Sequence, residues 1–295
     1  MKWALATIVL VPRGSWGPAP TREERLAVFR WAAGAGFGGI ELSPRWIDFL
    51  GMSEGELDGL CDDVAAAGLV VSGLSINRCI LTRTPRAAEH LRWLERGLDA
   101  ARRLGAAVLN FSLAMPTPPG PERRPLRGRD VPEEEYARSA ELVKGLAELA
   151  HRLGVGLSVE LHDDGLLDTP DACLMFLDRV GDTDLGVNPD LGNLCRGPGP
   201  LPDWEAALRL LAPRANAWHV KNYRAGEPAP AWAGDIDYRR AVKMMRSVGF
   251  RGWVSVESYF GDVMTLQELS LRYLEGLAET TTLTDHGAGR GLAGN

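Results

Sequence analysis

The 295-residue sequence lacks features that mark several large classes of protein. Its cysteines form no CxxC pair and no dense cluster, which favours reduced thiols packed as small apolar residues in a cytosolic protein. No GxGxxG segment opens the first helix, so the dinucleotide-binding fingerprint is missing. The cysteines are Cys61, Cys79, Cys173 and Cys195.

A basic surplus and a long apolar run are missing as well. The formal net charge of −6 disfavours general binding to nucleic acid or to an anionic membrane, because such proteins normally present a basic surface. The apolar residues 3–11 follow Lys2 but are too short to span a bilayer, and no small-x-small cleavage pattern comes after them. We interpret them as a buried strand and expect a cytoplasmic protein.

One phrase recurs along the chain: an amphipathic helix, a glycine, then a short apolar run. Glycine just past a helix supplies the left-handed cap that turns the chain back toward a sheet, and short apolar strands are typical of a parallel sheet covered by helices. The pattern predicts an α/β fold, a single (β/α)8 TIM barrel over residues 1–278, followed by a flexible tail over 279–295. The predicted strands are 3–9, 38–43, 69–76, 107–113, 156–161, 185–190, 215–221 and 252–257.

Four strands in the C-terminal half end on a side chain that can bind a metal ion: Glu160, Asp190, His219 and Glu257. In an α/β barrel the carboxyl ends of all strands meet on one face, so residues about a hundred positions apart can converge. Three carboxylates and one imidazole form an oxygen-rich ligand set. This set predicts one divalent ion, Mn²⁺, Mg²⁺ or Co²⁺ in preference to Zn²⁺.

Such a site predicts chemistry at a carbonyl group. Four protein ligands on an octahedral ion leave two positions for a substrate with adjacent oxygens, such as an α-hydroxy ketone. The ion would act as a Lewis acid and stabilise an enediolate, while a carboxylate takes the α-proton. Two glutamates on opposite sides of the substrate could remove a proton from one face and return it to the other.

The motifs around these residues resemble the xylose isomerase-like barrel superfamily, in particular its sugar phosphate isomerase/epimerase branch. The likeness is carried by SVELHDD, DTP and LGVNPDLGN within 157–193, HVKN at 219–222, GFRGWVSVE at 249–257 and GIEL at 39–42. It extends over nearly the whole chain to about residue 278. The resemblance implies that the four residues bind one divalent metal, with Glu160 and Glu257 as the acid/base pair.

Two positions depart from the family pattern. Many ketose epimerases of the family have a substrate-contacting histidine three residues after the metal-binding aspartate, where this chain has Asn193. The family's Lys-Asp on the seventh strand is Lys221-Asn222 here. Both departures leave the identity of the substrate undetermined, but they do not affect the predicted metal site. We expect Asn193 to contact the substrate.

Three further polar residues at strand ends are candidates for binding substrate, each with an ordinary alternative. His162 contacts substrate, supports a metal ligand from behind, or is a plain loop histidine. Lys221 holds a substrate oxygen or forms a structural ion pair. Glu41 contacts substrate or forms a buried salt bridge.

Loops after the strands supply the remaining candidates. Trp16, Trp46 and Trp232 follow strands, where they either wall the pocket or simply pack. The loop 114–131 carries four arginines that either clamp an anionic substrate or lie in solvent.

The leading hypothesis is a metal-dependent isomerase or epimerase of a sugar, cyclitol or related polyhydroxy ketone. A dehydratase is the alternative, since the same enediolate can expel a β-hydroxyl group, and a ligand-binding barrel without catalysis is another. A DNA-repair endonuclease of the superfamily is disfavoured, because Asn77 and Asn110 stand where that resemblance requires histidines. The expected partner is a small polyhydroxy molecule, with homo-oligomers allowed, and not a nucleic acid or a membrane.

Overall fold

Eight parallel strands lie side by side in the computed structural model of the chain, which describes residues 1–12, 18–116, 128–181, 183–196 and 201–287. A separate antiparallel hairpin of two short strands, β8 and β9, follows the seventh barrel strand. The strands are β1 Lys2–Ala6, β2 Gly39–Leu42, β3 Val70–Cys79, β4 Val108–Leu113, β5 Gly156–Glu160, β6 Leu185–Asn188, β7 Ala217–Val220, β8 Asn222–Arg224, β9 Glu227–Ala229 and β10 Trp253–Val256.

The barrel strands pair in the order β6-β5-β4-β3-β2-β1-β10-β7, so the ring is completed only if β6 meets β7. A single parallel bridge joins Val187 to Ala215 at this seam. Toward the carboxyl ends, a side chain takes the place of the backbone hydrogen bonds between these two strands. The Asn188 Oδ1 accepts a hydrogen bond from the His219 backbone N–H at 2.8 Å. The predicted (β/α)8 barrel is confirmed as a nearly closed ring.

Helices alternate with the barrel strands and cover the outside of the sheet. They are α1 Arg22–Ala35, α2 Glu54–Ala66, α3 Ala87–Arg103, α4 Glu133–Leu153, α5 Pro170–Val180, α6 Leu191–Cys195, α7 Trp204–Leu211, α8 Tyr238–Ser247 and α9 Val263–Gly287. The predicted boundary at residue 278 falls inside α9, and 288–295 lie outside the described residues. None of the described helices is long and apolar enough to cross a membrane.

Local sequence signals define where the helices begin and end. Thr21 and Ser53 each form a capping box, in which the hydroxyl accepts from a backbone N–H three residues on and a glutamate returns the contact. The glycines expected to turn the chain back toward the sheet have positive φ, with Gly36 at 105° and Gly154 at 67°. They are Gly36, Gly68, Gly105, Gly154, Gly181 and Gly249. These signals set the ends of the strands, which is where the polar side chains collect.

The core lies on both faces of the barrel sheet. Strand residues alternate between the helix layer and the barrel interior, and β2, β4, β6 and β7 are buried along their whole length. The helical stripes predicted from the sequence face this sheet, as with the buried Leu94, Leu98 and Ala101 of α3. Toward the carboxyl ends the interior becomes polar, and there it forms the site.

Candidate active site

The four predicted ligand residues converge at the carboxyl ends of their strands. Glu160 ends β5, Asp190 precedes α6, His219 lies in β7 and Glu257 follows β10, and all four are at most 4% exposed. Ligand atoms of Glu160, Asp190 and His219 all lie within 4.8 Å of one another. Glu257 Oε2 lies 3.2 Å from His219 Nδ1. The barrel thus brings together residues that are up to 97 positions apart along the chain.

Two asparagines hold Glu160 in place. Asn193 Nδ2 donates to Glu160 Oε1 at 2.8 Å and to the Leu161 carbonyl at 3.0 Å, while Asn110 Nδ2 donates to Glu160 Oε2 at 2.9 Å. Asn193, which was predicted to contact substrate, is fully buried in the short helix α6, and its amide faces the end of β5. Its position therefore fits a role in orienting the Glu160 carboxylate. Asn110 was missed as a site residue, because an asparagine within an apolar strand gives no signal of its own.

Lys221 joins two of the carboxylates. Its Nζ lies 2.7 Å from Asp190 Oδ2 and 3.1 Å from Glu257 Oε1. These contacts correspond to the structural ion pair that was one of the two alternatives for Lys221. Burial opposes the charged amine, but Asp190 and Glu257 outweigh it and raise the pKa of Lys221 well above its usual value. Gly192 makes room for this side chain, because a Cβ there would lie 2.3 Å from Lys221 Cγ.

Glu41 lies behind His219. Its Oε2 is 2.9 Å from His219 Nε2 and accepts from Ser255 Oγ at 2.9 Å. Glu41 is 3% exposed and is not among the described residues that line the cleft, so its geometry fits the buried salt-bridge alternative. A carboxylate facing Nε2 places a proton there, which leaves Nδ1 as the nitrogen directed at Glu160, Asp190 and Glu257.

The donor set fits a divalent cation. His219 Nδ1 and Glu257 Oε2 are buried and lie 3.2 Å apart, and neither forms a well-directed hydrogen bond with a described residue, although buried polar atoms nearly always have a partner. Four buried carboxylates, including Glu41, face one lysine and one imidazole. This excess of buried negative charge is what a divalent cation would neutralise, and oxygen donors with one imidazole suit Mg²⁺ or Mn²⁺.

The pKa values show how strongly the buried charges interact. Burial raises the pKa of Asp190 to about 6, although Lys221 opposes this rise. Burial also lowers the pKa of His219, but the carboxylates of Glu41 and Glu160 outweigh it and raise that pKa well above its usual value. For Glu257, burial is outweighed by Lys221 and His219, which lower its pKa. The buried site thus holds negatively charged carboxylates, and nearby positive groups are needed to stabilise them.

A cleft of about 1320 Å³ opens over this cluster, and its lining includes Glu160, Lys221 and Glu257. His162 also lines it and pairs through Nδ1 with Asp164 Oδ1 at 2.5 Å. Tyr259, which was missed, lines the cleft and donates its hydroxyl to Glu257 Oε1 at 2.6 Å. Its place two residues after Glu257 was the available signal.

Two of the predicted tryptophans, Trp46 and Trp232, are not among the described residues that line the cleft. Trp232 is 41% exposed, packs edge-on against Tyr273 of α9, and is not among the described lining residues. Trp232 lies in the segment between β9 and α8. Trp46 packs against Phe29 in the core. Trp16 and the arginines of residues 117–127 lie outside the described residues, and the side chain of Arg129 is not described.

An α/β barrel with buried carboxylates and a histidine at its carboxyl end is a frequent enzyme architecture. The chain belongs to the Xylose isomerase-like TIM barrel family, which matches residues 29–277. A putative hydroxypyruvate isomerase from Streptomyces coelicolor is 28% identical over 259 residues, covering 81% of this chain and 87% of that protein.

Solved structures of similar fold cover nearly the whole chain. A xylose isomerase-like TIM barrel protein from Mycobacterium smegmatis in complex with magnesium has a TM-score of 0.81 at 23% identity, covering 94% of this chain and 96% of that one. A probable 3-DHS dehydratase from Bacillus anthracis has a TM-score of 0.75 at 16% identity, covering 93% and 99%. An L-ribulose 3-epimerase has a TM-score of 0.72 at 18% identity, covering 98% and 99%. At these identities the likeness is one of fold.

Proposed function

We propose that the protein is a metal-dependent isomerase or epimerase of a sugar, cyclitol or related polyhydroxy ketone. One divalent ion, Mg²⁺, Mn²⁺ or Co²⁺, would be held by Glu160, Asp190, His219 and Glu257. The observation that carries the proposal is the buried His219 Nδ1, which has all three carboxylates within 3.9 Å and forms no well-directed hydrogen bond with a described residue. The relatives named as isomerase and epimerase support the reaction class.

A divalent metal in this position would supply Lewis-acid polarisation of a substrate carbonyl. The protein's part is to move a proton at the carbon beside that carbonyl. Of the four ligand residues, Glu160 and Glu257 are the two that line the cleft, so they are the two that a substrate can reach. This access supports their assignment as the acid/base pair.

Glu257 is the better placed of the pair to act as base. Lys221 Nζ and the Tyr259 hydroxyl both contact its Oε1, whereas Oε2 lies 3.2 Å from His219 Nδ1 and forms no well-directed hydrogen bond with a described residue. Both oxygens of Glu160 already accept hydrogen bonds from Asn110 and Asn193, which fixes its carboxylate. We infer that Glu257 removes the proton and that Glu160 delivers or receives one from the other side of the substrate.

The contact between Glu41 and His219 predicts an effect on metal binding. Replacing Glu41 by glutamine is expected to weaken Mn²⁺ binding by about 10–100-fold, the usual cost of losing an outer-shell partner of a histidine ligand. Isothermal titration with Mn²⁺ measures the affinity without reference to turnover. Ser255→Ala removes the other hydrogen bond to Glu41 and leaves the charge, so it should have a smaller effect. An unchanged affinity in Glu41→Gln would contradict this role.

A dehydratase is the second candidate, supported by the structural neighbour of that name and by His162, which lines the cleft and pairs with Asp164. A histidine held by a carboxylate can protonate a leaving hydroxyl group. Both reactions begin with removal of the same proton, so they differ only in the fate of the enediolate.

Turnover in D₂O separates the candidates. Metal-loaded protein is incubated with a panel of ketoses and inososes, and the products are examined by NMR and mass spectrometry. We expect deuterium on the carbon next to the carbonyl, because a protonated Glu257 at the cleft exchanges with solvent before returning its proton. A product that differs in mass from the substrate only by the deuterium indicates isomerisation. A product that has lost water and absorbs in the ultraviolet as a conjugated enone indicates the dehydratase. If no substrate of the panel shows either outcome, a ligand-binding barrel without catalysis is favoured.

A further inference from the structure

The cleft is basic although the chain is acidic. Its described lining includes five arginines and one lysine against three carboxylates, and two of those carboxylates belong to the proposed metal site. The chain as a whole carries a formal net charge of −6. A neutral polyol would not need such a concentration of positive charge at the mouth of its site. The basic side chains are Arg45, Arg78, Arg86, Arg96, Arg196 and Lys221.

Two of these arginines, Arg78 and Arg196, are held by the acidic turn after β5 and are called here the arginine pair. Arg78 Nη1 lies 2.8 Å from Asp164 Oδ2, and Arg196 Nη2 lies 3.7 Å from the other oxygen of the same carboxylate. Arg196 Nε also donates to Asp163 Oδ1 at 2.7 Å. The guanidinium groups line the cleft, while the two aspartates are not among its described lining residues.

Within the described residues, both guanidinium groups keep unused donors. A guanidinium has five N–H groups, and the hydrogen bond of Arg78 to Asp164 is made through Nη1 alone. Arg196 uses Nε and Nη2 in its contacts with the described residues, which leaves Nη1. The two aspartates thus fix the orientation of the arginines without saturating them.

The backbone at Arg78 is strained in a way that presents this side chain to the cleft. Its φ is 68°, a left-handed conformation that a long side chain rarely adopts. The pairing of β3 with β4 shifts register between Ile76 and Cys79, and the Arg78 N–H donates to Ser112 Oγ at 2.8 Å. Irregular, strained positions of this kind concentrate at functional sites. The ion pair with Asp164 alone would offset little of this backbone strain, because the Arg78 side chain is 52% exposed and exposed ion pairs are weak.

We propose that the arginine pair binds an anionic substituent of the substrate, a carboxylate or a phosphate group. The pair adjoins the metal-ligand strand through His162, which lies two residues past Glu160 and 3.4 Å from Arg196 Nη2. The substrate would therefore carry its charge at one end and its reacting carbonyl at the other. This inference rests on the proposed function only in taking the cleft as the substrate site.

Equilibrium binding of three matched probes tests the proposal without turnover. Glycerol, D-glycerate and glycerol 3-phosphate share a three-carbon skeleton and differ in carrying no charge, a carboxylate or a phosphate. Isothermal titration is run on the full-length, Mg²⁺-loaded protein. We expect at least one charged probe to bind about 10-fold or more tightly than glycerol, because charge-assisted hydrogen bonds to arginine are strong. The tighter of the two charged probes identifies the anion.

Arg78→Gly is the informative variant, since glycine accepts the positive φ and keeps the backbone N–H to Ser112. It should lose about 10-fold or more in affinity for the charged probe, with an unchanged or higher Tm. Ala225→Gly is the matched control: Ala225 has a φ of 51°, lies in the β8–β9 turn and is not a described lining residue. It should gain stability to a similar degree and keep full affinity.

The experimental outcomes are separable. Wild-type affinity for the charged probes in Arg78→Gly, or equal affinity of all three probes for the wild-type protein, would overturn the anion subsite. A marked fall in Tm with affinity retained would make Arg78 a structural residue and also overturn it. Deuterium exchange does not depend on these measurements, so loss of probe binding in Arg78→Gly together with no exchange in any ketone would retain the subsite and reject the proposed reaction.

Discussion

Glutamine in place of Glu257 is expected to lower turnover by about 10²–10⁴-fold, the range typical for loss of a proton-transfer group. The amide is nearly isosteric, and its oxygen can keep the contacts that Oε1 makes with Lys221 and Tyr259 at 3.1 and 2.6 Å. The basic Oε2 is lost, so kcat should fall much further than metal content. Steady-state rates on a substrate from the exchange screen, with elemental analysis of the same sample, measure both.

A matched control is Glu205→Gln. Glu205 pairs with Arg240 at 2.5 Å on the outer helix layer, so the substitution is chemically identical and lies away from the cleft. Its turnover should equal that of the wild-type protein. Near-normal kcat in Glu257→Gln would exclude Glu257 as the base, and parallel loss of metal and activity would reduce its role to that of a ligand.

The second large effect is expected in metal affinity. Asp190→Asn should weaken Mn²⁺ binding by more than about 100-fold, beyond the cost of changing an outer-shell residue, because a charged ligand becomes a neutral amide. The fold should survive. Asp190 is the N-cap of α6, with its side chain accepting from the Asn193 N–H at 3.2 Å, and asparagine is an equally good cap. Titration with Mn²⁺ and a thermal melt measure the two properties on one preparation.

Asp203→Asn repeats this change where no metal is expected. Asp203 caps α7, accepting from the Ala206 N–H at 2.9 Å, and is exposed. This variant should bind Mn²⁺ like the wild-type protein. If both variants bind Mn²⁺ with wild-type affinity, Asp190 is not a ligand. If Asp190→Asn loses binding only because its melting temperature has collapsed, the assignment also fails.

The barrel and the strand-end residues could be predicted from sequence because their signals are local. A polar residue that closes an apolar run, with a helix after it, is visible within a dozen positions. The exact partners are not local. Glu41 and His219 are 178 residues apart and meet only because β2 and β7 belong to the same ring, with β1 and β10 between them. No short pattern could therefore choose between substrate contact and salt bridge for Glu41.

Other features depended on backbone detail that residue types do not encode. Nothing in the sequence around Arg78 indicates a positive φ, since the residue is neither glycine nor asparagine. Asn193 was judged by the family position it occupies, whereas its contacts follow from the short length of α6. The extent of α9 illustrates a different difficulty, because the small polar residues after 279 gave no helical stripe, yet the helix continues to Gly287.

The seam between β6 and β7 gives the site a second consequence. Asp190 stands on one side of this weakly paired junction and His219 on the other, and a single bridge with the Asn188 side chain joins the strands. A cation held by both residues would act as a clasp across the ring. Opening of the barrel at this junction and release of the ion would then be one linked equilibrium, in which each makes the other easier. The junction that strand pairing leaves nearly open would then be held by two of the proposed metal ligands.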